Sequence, residues 1–248
     1  MRKKIFLFLI ILFFVVHNLK AAPIPIPKIN IGVEEAKTPD DVALSLQILF
    51  LLTILSLAPA ILLMLTALTR IYIFLLFIQR ALSLQQMPPN QVIVALALFL
   101  TFFVMAPTIK EINDNAVQPF MNKKIPFGTA LDSAMKPLRT FMFKQVDEKN
   151  LALFFDLAKL PRPKNRSEVP NYILIPAFVL GEITIAFKMG LLIYIPFIVV
   201  DMIVASVLMA MGMMMLPPVM ISIPIKLLFF IMVDGWNLLV YYVVKSFS

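Results

Sequence analysis

The sequence predicts an all-α membrane protein made of two long, proline-kinked helical hairpins with a small helical polar insert between them. Of its 248 residues, 61% are hydrophobic and only 15% are charged. This balance is more apolar and less charged than that of soluble domains. Long uncharged runs lie on both sides of one polar segment, and the chain contains no cysteine. A disulfide, a thiolate nucleophile and a cysteine-ligated metal site are therefore excluded.

The N-terminal residues 1–22 have the pattern of a signal peptide that is cleaved. A basic start precedes a short apolar stretch, and Ala21–Ala22 provide small residues for cleavage. An uncleaved anchor is the alternative, because the residues before Ala21 fit a cleavage site poorly. His17, the only histidine, lies inside this segment, which argues against a catalytic or ligand role. Residues 23–41 follow as a proline-rich external segment, and Asp40–Asp41 stand where a helix cap is expected.

Residues 42–109 predict the first helical hairpin. From Val42 to Thr69 the chain has 28 residues without a formal charge, more than the about 20 that cross a bilayer core. Pro59 predicts a kink in the first arm. The pair Pro88–Pro89 predicts the turn at the tip, because proline lacks the backbone donor that a helix needs. The second arm is expected to end at Pro107.

Residues 110–171 form a polar insert with 11 Lys/Arg and seven Asp/Glu. Apolar residues recur at helical spacing between 134 and 157, and 161–170 predicts an exposed loop. The insert is too small to hold an enzyme core by itself. The signal peptide places it outside the membrane, whereas its basic excess favours the inside. Because the positive-inside rule weakens in long segments, we expect the external side.

Residues 172–248 predict a second hairpin, with a methionine-rich gate loop between its arms. Pro217 and Pro218 predict that a helix arriving from Met202 ends near Leu216. Such an arm of about 22 Å would be too short for a hydrocarbon core of about 30 Å. A broken helix at membrane depth needs protein or water around it. The echo between the two proline pairs also resembles the internal repeats of transporters.

The gate loop is marked by its methionines. Seven of the chain's 16 methionines lie between Met202 and Met220. Methionine is unbranched and polarizable, so a cluster of it forms a pliable apolar surface. At a helix break this surface predicts a constriction that can seal and yield. The alternatives are methionines that fill gaps in a core, and thioethers that bind Cu(I).

Six charged side chains lie within or beside the apolar runs: Arg70, Glu182, Lys188, Asp201, Lys226 and Asp234. Each costs roughly 2.5–3.5 kcal/mol at the centre of a membrane helix, so we expect each to face a partner or water. Glu182 and Lys188 are six positions apart and cannot pair well on one face. Their partners are therefore expected on another helix or another subunit. We favour ion pairs between subunits that fix assembly; a proton relay through Glu182 and Asp201 is the alternative.

Known catalytic motifs are not found. The sequence has no P-loop, no GxGxxG and no HExxH pattern. It therefore predicts no enzyme activity, no cofactor and no metal site.

Several ordered motifs resemble the FliP/SctR family, the core export-gate proteins of flagellar and virulence type III secretion. The resemblance covers about residues 42–245, and the signal-like N-terminus is similar to flagellar members. It is carried by residues 55–66, 84–91, 98–103, 137–142, 151–154, 201–218 and 233–236.

This resemblance implies a ring of several copies, usually described as five, in the bacterial inner membrane at the flagellar basal body. The ring assembles with FliQ and FliR, with FlhB at its entrance, and passes unfolded exported polypeptides. The family's methionine-rich loop is thought to act as a gasket at the narrowest point of the pore. The residues that match it here are Met209, Met211, Met213, Met214 and Met215.

One position departs from the family pattern. Relatives carry a lysine two residues after the motif's glutamate, where this chain has Thr184, and Lys188 follows one turn later. Positions 184 and 188 share a helix face, so the positive charge lies on the same face but one turn further along the helix. The alternative function is a secondary transporter that uses Glu182, Lys188 and Asp201 for ion coupling. A scaffold for other membrane proteins ranks third.

Overall fold

A computed structural model of the chain describes residues 39–84, 88–213 and 215–248. The predicted signal peptide, most of the proline-rich segment, three residues of the first tip and Met214 lie outside the described residues. The described residues contain α-helices and no strand, as the sequence predicts. The helices are α1 Pro39–Leu65, α2 Leu68–Ala81, α3 Asn90–Ile112, α4 Gln118–Met121, α5 Phe127–Gln145, α6 Glu148–Leu157, α7 Asn171–Ala210, α8 Pro218–Met232 and α9 Gly235–Lys245.

The chain divides into two compact units, residues 1–51 and 52–248. Of the first unit the structure describes residues 39–51, which are the N-terminal part of α1. All contacts discussed below lie within the second unit. Asp40 and Asp41 lie inside the first turn of α1 and not at the predicted cap position, because the helix already begins at Pro39. Proline is well suited to a first helical position, where no backbone donor is needed.

The first hairpin bends at Thr66–Ala67. The segments Leu55–Leu65 and Leu68–Ala81 meet at 77°. Pro59 lies inside α1, which is continuous through that residue, and the predicted kink there stays a prediction. At the bend, Thr66 Oγ1 donates a hydrogen bond to the Leu62 carbonyl and Thr69 Oγ1 to the Leu63 carbonyl, each at 2.5 Å. These hydroxyls satisfy carbonyls that the ended helix leaves without amide donors.

The second arm of this hairpin is longer than predicted. Pro107 lies inside α3, and a π-helical segment Asn113–Val117 joins α3 to α4. Together they form one helical rod of 32 residues, Asn90–Met121. The expectation that the arm ends at Pro107 is wrong, and the first part of the polar insert continues the rod.

The rest of the insert is helical where its apolar spacing predicts a helix, and it consists of two helices and a loop. α5 and α6 are separated at Val146–Asp147, and the Asp147 carboxylate accepts a hydrogen bond from the Lys149 backbone amide at 3.0 Å. This side chain caps α6. Residues 158–170 form the loop, apart from a short 3₁₀ turn Arg166–Glu168. The insert docks on its own chain, because both α5 and α6 contact α7.

Helix α7 is the longest element, with 40 residues and a length of about 60 Å. It ends at Ala210 and not near Leu216. Gly212 has φ +74°, and the Met213 amide donates to the Leu208 carbonyl at 2.9 Å, which is the pattern of a glycine-terminated helix. The predicted short arm from Met202 is thus the last part of a long helix.

The second arm of the second hairpin is also bent. α8 and α9 meet at 67°, and Asp234 between them has φ 51°. Gly235 follows, and a Cβ atom at this position would lie 2.3 Å from the Phe230 ring. A side chain at this position would therefore require the Phe230 ring to move.

The hydrophobic core lies mainly between α2 and α7. Ile71, Phe74 and Leu75 of α2 and Leu174 and Phe178 of α7 are almost completely buried. Burying a side chain of this size contributes roughly 1.5–3 kcal/mol. The two helices also approach closely at Gly190 of α7, because a Cβ atom there would lie 2.4 Å from the Phe77 side chain of α2.

Much of the remaining apolar surface is exposed. Among the described residues, the rod Asn90–Met121 and α7 are long and apolar enough to cross a membrane, and each bent pair of helices could form one further span. Large side chains such as Phe99, Leu192 and Met232 are more than two thirds exposed. Apolar patches of this extent mark surfaces that lipid or protein covers. The chain is an all-α membrane protein.

Candidate functional site

A buried ion pair joins the two hairpins. Arg70 of α2 and Glu182 of α7 are both 0% exposed. The guanidinium donates two parallel hydrogen bonds to the carboxylate, Nη2 to Oε1 at 2.5 Å and Nε to Oε2 at 3.0 Å. Such a bidentate pair fixes orientation as well as distance. Glu182 thus finds its partner on another helix of the same chain.

The same guanidinium also holds the polar insert and the C-terminal residues. Arg70 Nη2 donates to Gln145 Oε1 at 2.9 Å, and Arg70 Nη1 donates to the Ser246 carbonyl at 2.7 Å. The Arg70 Cζ atom lies 4.0 Å from the centroid of the Phe247 ring, and Gln145 Nε2 donates to the Phe247 carbonyl at 3.0 Å. One buried cation therefore ties α2, α5, α7 and the end of α9 together.

A second ion pair lies near the tip of the first hairpin. Lys226 of α8, which is 1% exposed, has its Nζ 2.6 Å from Asp201 Oδ2. It also donates to Ser83 Oγ at 2.8 Å and to the Ala81 carbonyl at 3.2 Å. The hydroxyl of Ser222 donates to the other oxygen of Asp201 at 2.5 Å. This cluster fixes the end of α2 against α7 and α8.

The other two charges behave differently. Lys188 is exposed and forms no salt bridge within the described residues. Thr184, one turn before it, is exposed too, and its hydroxyl bonds the Leu180 carbonyl of its own helix at 2.8 Å. Asp234 is exposed at the bend between α8 and α9, where it accepts a hydrogen bond from Asn237 at 2.7 Å. Of the six charges, four thus form pairs inside one chain.

The geometry disfavours a direct proton relay through Glu182 and Asp201. Both lie on α7, 19 positions apart, which corresponds to about 28 Å along the helix axis. Each carboxylate is already occupied by its own cation.

The methionine-rich loop lies between the end of α7 and the start of α8. Met209 and Met211 are 58% and 67% exposed, Met213 is 40% exposed, and Met215 is 98% exposed. Met214 lies outside the described residues. These thioethers do not fill a core within the chain, and they stand together at the junction of two apolar helices.

The proline pairs start helices. Pro89 occupies the N-cap position of α3, and Pro217 occupies that of α8, with Pro218 as its first residue. The preceding helices end earlier, at Ala81 and Ala210. Each pair thus stands where local chemistry suits a helix N-terminus, and the predicted role of Pro88, Pro89, Pro217 and Pro218 as helix breaks stays a prediction. Both pairs do lie at the junctions between the hairpin arms, as predicted.

Sequence reasoning missed the neutral groups around the charges. Gln145, Ser246 and Phe247 complete the Arg70 site, and Ser83 and Ser222 complete the Lys226 site. Their residue types are common in loops and helix ends, so no sequence pattern marks them. A buried charge does require additional hydrogen bonds, which predicts that such groups exist without identifying them.

Comparisons with known proteins agree on one family. The FliP family model matches residues 51–243. The flagellar biosynthetic protein FliP of Treponema pallidum is 51% identical over 224 residues, which cover 90% of this chain and 83% of the relative. That of Bacillus subtilis is 48% identical over 217 residues, covering 88% and 98%. That of Borreliella burgdorferi is 54% identical over 210 residues, covering 84% and 83%. Since the match extends over most of this chain and most of each relative, the chain belongs to the FliP family.

Proposed function

We propose that this chain is the pore-forming subunit of a flagellar protein-export gate, in which the methionine-rich loop closes the conduit for unfolded polypeptides. Family membership makes it a membrane-embedded component of flagellar biosynthesis and export. The finer proposal depends mainly on one observation: four neighbouring methionines, one in the last turn of α7 and three in the loop that follows it, are exposed together.

The exposure of these methionines favours a contact outside the chain. An isolated loop gains nothing from presenting several thioethers to water, because burying apolar surface is the favourable direction. Several copies that meet at this loop would bury the methionines against one another. The soft side chains could then close around passing polypeptides of different sequence and seal again afterwards.

The charge pairs support a stiff subunit for such a ring. The Arg70 and Lys226 sites connect both hairpins and the insert within one chain, so neither pair is free to bond a neighbour. Assembly would then use the exposed apolar helix faces. Of the six charges, Lys188 and Asp234 form no salt bridge within the described residues and are available for a partner. FliQ, FliR, FlhB and further copies of this chain are the proposed partners, together with membrane lipid.

The proposal also includes the orientation of the chain in the membrane and its lack of enzyme activity. The polar insert is placed on the external side of the inner membrane, and the chain acts as a transport component without catalysing a reaction. The described helix faces then divide between lipid, neighbouring copies and the pore.

The mass and symmetry of the complex extracted in mild detergent test this function. We expect a cyclic ring of several copies, accompanied by small helical partners, when the chain is purified from cells that build flagella. A solitary subunit that supports solute-coupled ion flux by itself would contradict the proposal and favour a secondary transporter.

A further inference from the structure

We propose that helix α5 and the loop after α6 form a binding site for an anionic phospholipid. The site begins with a cavity of about 370 Å³. Four basic side chains line it: Lys136, Arg139 and Lys144 of α5, and Arg166 of the loop. Residues three or four positions apart share one face of a helix. The three basic residues of α5 therefore lie along a single face.

Among the residues that the structure describes, no acidic side chain lines this cavity. None of the four basic residues forms a salt bridge with another described residue. Like charges three to five positions apart on a helix repel one another. An anion placed between them would relieve this repulsion, and the hydroxyl of Ser167 in the same lining supplies a neutral donor for a phosphate oxygen.

The cavity is held in shape by Arg139. Its guanidinium donates to the Val169 carbonyl at 2.7 Å and to the Arg166 carbonyl at 3.1 Å, and it also bonds the side chain of Asn171. These bonds fasten the loop against α5. The Arg139 and Arg166 guanidinium carbons lie 5.4 Å and 5.7 Å from the Phe143 ring centroid, so Arg166 is positioned beside the helix.

A second cavity of about 360 Å³ adjoins the first and shares Thr140 and Lys144 with it. Its lining is mixed. Glu111, Gln145 and Ser248 are among its polar residues. Its apolar residues come from α3, α5 and the C-terminal end: Phe103, Val104, Pro107, Pro137, Phe141, Val244 and Phe247. Phe103 is 64% exposed, so this cavity is open to an acyl chain.

The two cavities together match the two parts of a phospholipid. A free phosphate ester would use only the basic cavity, and an acidic peptide has no need of the apolar one. A lipid with a negatively charged head group would use both, with Lys144 at their boundary. This inference rests on the membrane location of the chain and is independent of the proposed pore. The proposal also gives these basic residues of the insert a role in lipid binding, apart from any influence of their charge on membrane orientation.

The test is lipid binding by the purified full-length chain in neutral detergent. The double variant Lys144→Gln with Arg166→Gln removes two charges from the site and leaves Arg139, which holds the loop, in place. The matched control, Lys149→Gln with Lys159→Gln, removes two exposed charges of the same insert that line neither cavity. Four probes are compared: phosphatidylglycerol, phosphatidylcholine with the same acyl chains, glycerol 3-phosphate and a hexaglutamate peptide. Circular dichroism and gel filtration confirm that each variant is folded.

We expect phosphatidylglycerol to bind most tightly, and the site variant to bind it about thirtyfold more weakly, because each basic residue near an anionic surface contributes about fivefold. The control variant should bind as the wild type does. A further variant, Phe103→Ala, should reduce the preference for long over short acyl chains and leave glycerol 3-phosphate binding unchanged. Equal loss in both double variants would overturn the proposal. So would binding of glycerol 3-phosphate or hexaglutamate as tight as that of phosphatidylglycerol.

Discussion

Arg70 and Glu182 lie 112 positions apart in the sequence, yet their side chains form a bidentate ion pair that is fully buried. The pair joins the first hairpin to the second, and three further hydrogen bonds from Arg70 extend it to the insert and to Ser246. The surroundings of this cation therefore determine whether the hairpins and the insert act as one body.

Replacing Arg70 with Met should destabilise the fold strongly. The variant leaves the Glu182 carboxylate buried without a cation, and breaking such a pair costs about 3–5 kcal/mol. Thermal unfolding in detergent, followed by circular dichroism, measures the loss. The double variant Arg70→Met with Glu182→Met should recover much of it, because a pair of apolar residues replaces the ion pair. Lys188→Met, which removes an exposed charge that forms no salt bridge within the described residues, is the control and should change little.

Replacing Lys226 with Met should loosen the tip of the first hairpin. The change removes the donor that holds the Ala81 carbonyl, Ser83 and Asp201 together. We expect faster limited proteolysis between residues 82 and 90, with cleavage elsewhere unchanged. Adding Asp201→Asn should restore stability without restoring protection of the tip. Intact rings with abolished export in the single variant Asp201→Asn would instead support a relay role for that carboxylate.

Replacing Gly190 with Ala should force α2 and α7 apart. The added Cβ would lie 2.4–2.8 Å from Cγ, Cδ2 and Cβ of Phe77, and rotating the ring cannot move the Cβ atom. Overpacking of this kind costs about 1–3 kcal/mol, and Phe77→Ala in the same chain should relieve part of it. Gly128→Ala is the control, because a Cβ atom added there would meet no described atom within 4 Å apart from its chain neighbours and the backbone of its own helix. An equal unfolding midpoint for the two alanine variants would contradict the close packing.

Replacing Gly212 with Ala should disturb the gate loop through the backbone. The residue has φ +74°, a conformation that costs a residue with a Cβ atom roughly 1 kcal/mol or more. The end of α7 should then extend or shift and move Met213. Gly212→Asn is the matched comparison, since asparagine tolerates this conformation better. We expect the ion permeability of the membrane to rise more in the alanine variant, and equal values would argue against a role for the glycine stop.

The sequence predicts the helical class, the two hairpins and the insert because long uncharged runs and helical spacing depend on local composition. It misplaces the helix ends. Pro217 suggests a later end for α7 than the one that Gly212 imposes, because a glycine after a helix allows the left-handed conformation that closes it. Pro107 is expected to end α3, yet the helix continues through it, and proline is tolerated inside membrane helices.

The sequence also fails to identify the partners of the buried charges, which lie far away in the chain. That Arg70, Glu182, Asp201 and Lys226 need partners follows from the cost of an unpaired charge in an apolar run. Which residues pair cannot be read from spacing, because the partners are 112 and 25 positions apart. The expected ion pairs between subunits are, for these four residues, pairs within one chain. The assembly role of Lys188 and Asp234 stays a prediction.

The most direct test of the gate is the ion conductance of membranes that contain the assembled complex. The variant Met213→Ala, Met214→Ala and Met215→Ala should assemble normally and leak ions in the resting state, because three thioethers are missing from the seal. The control Met202→Ala, Met220→Ala and Met232→Ala removes three exposed methionines outside the loop segment 209–215 and should leave the membrane tight. A gate-loop variant that assembles and conducts no more than the control would contradict the claim that these methionines close the pore.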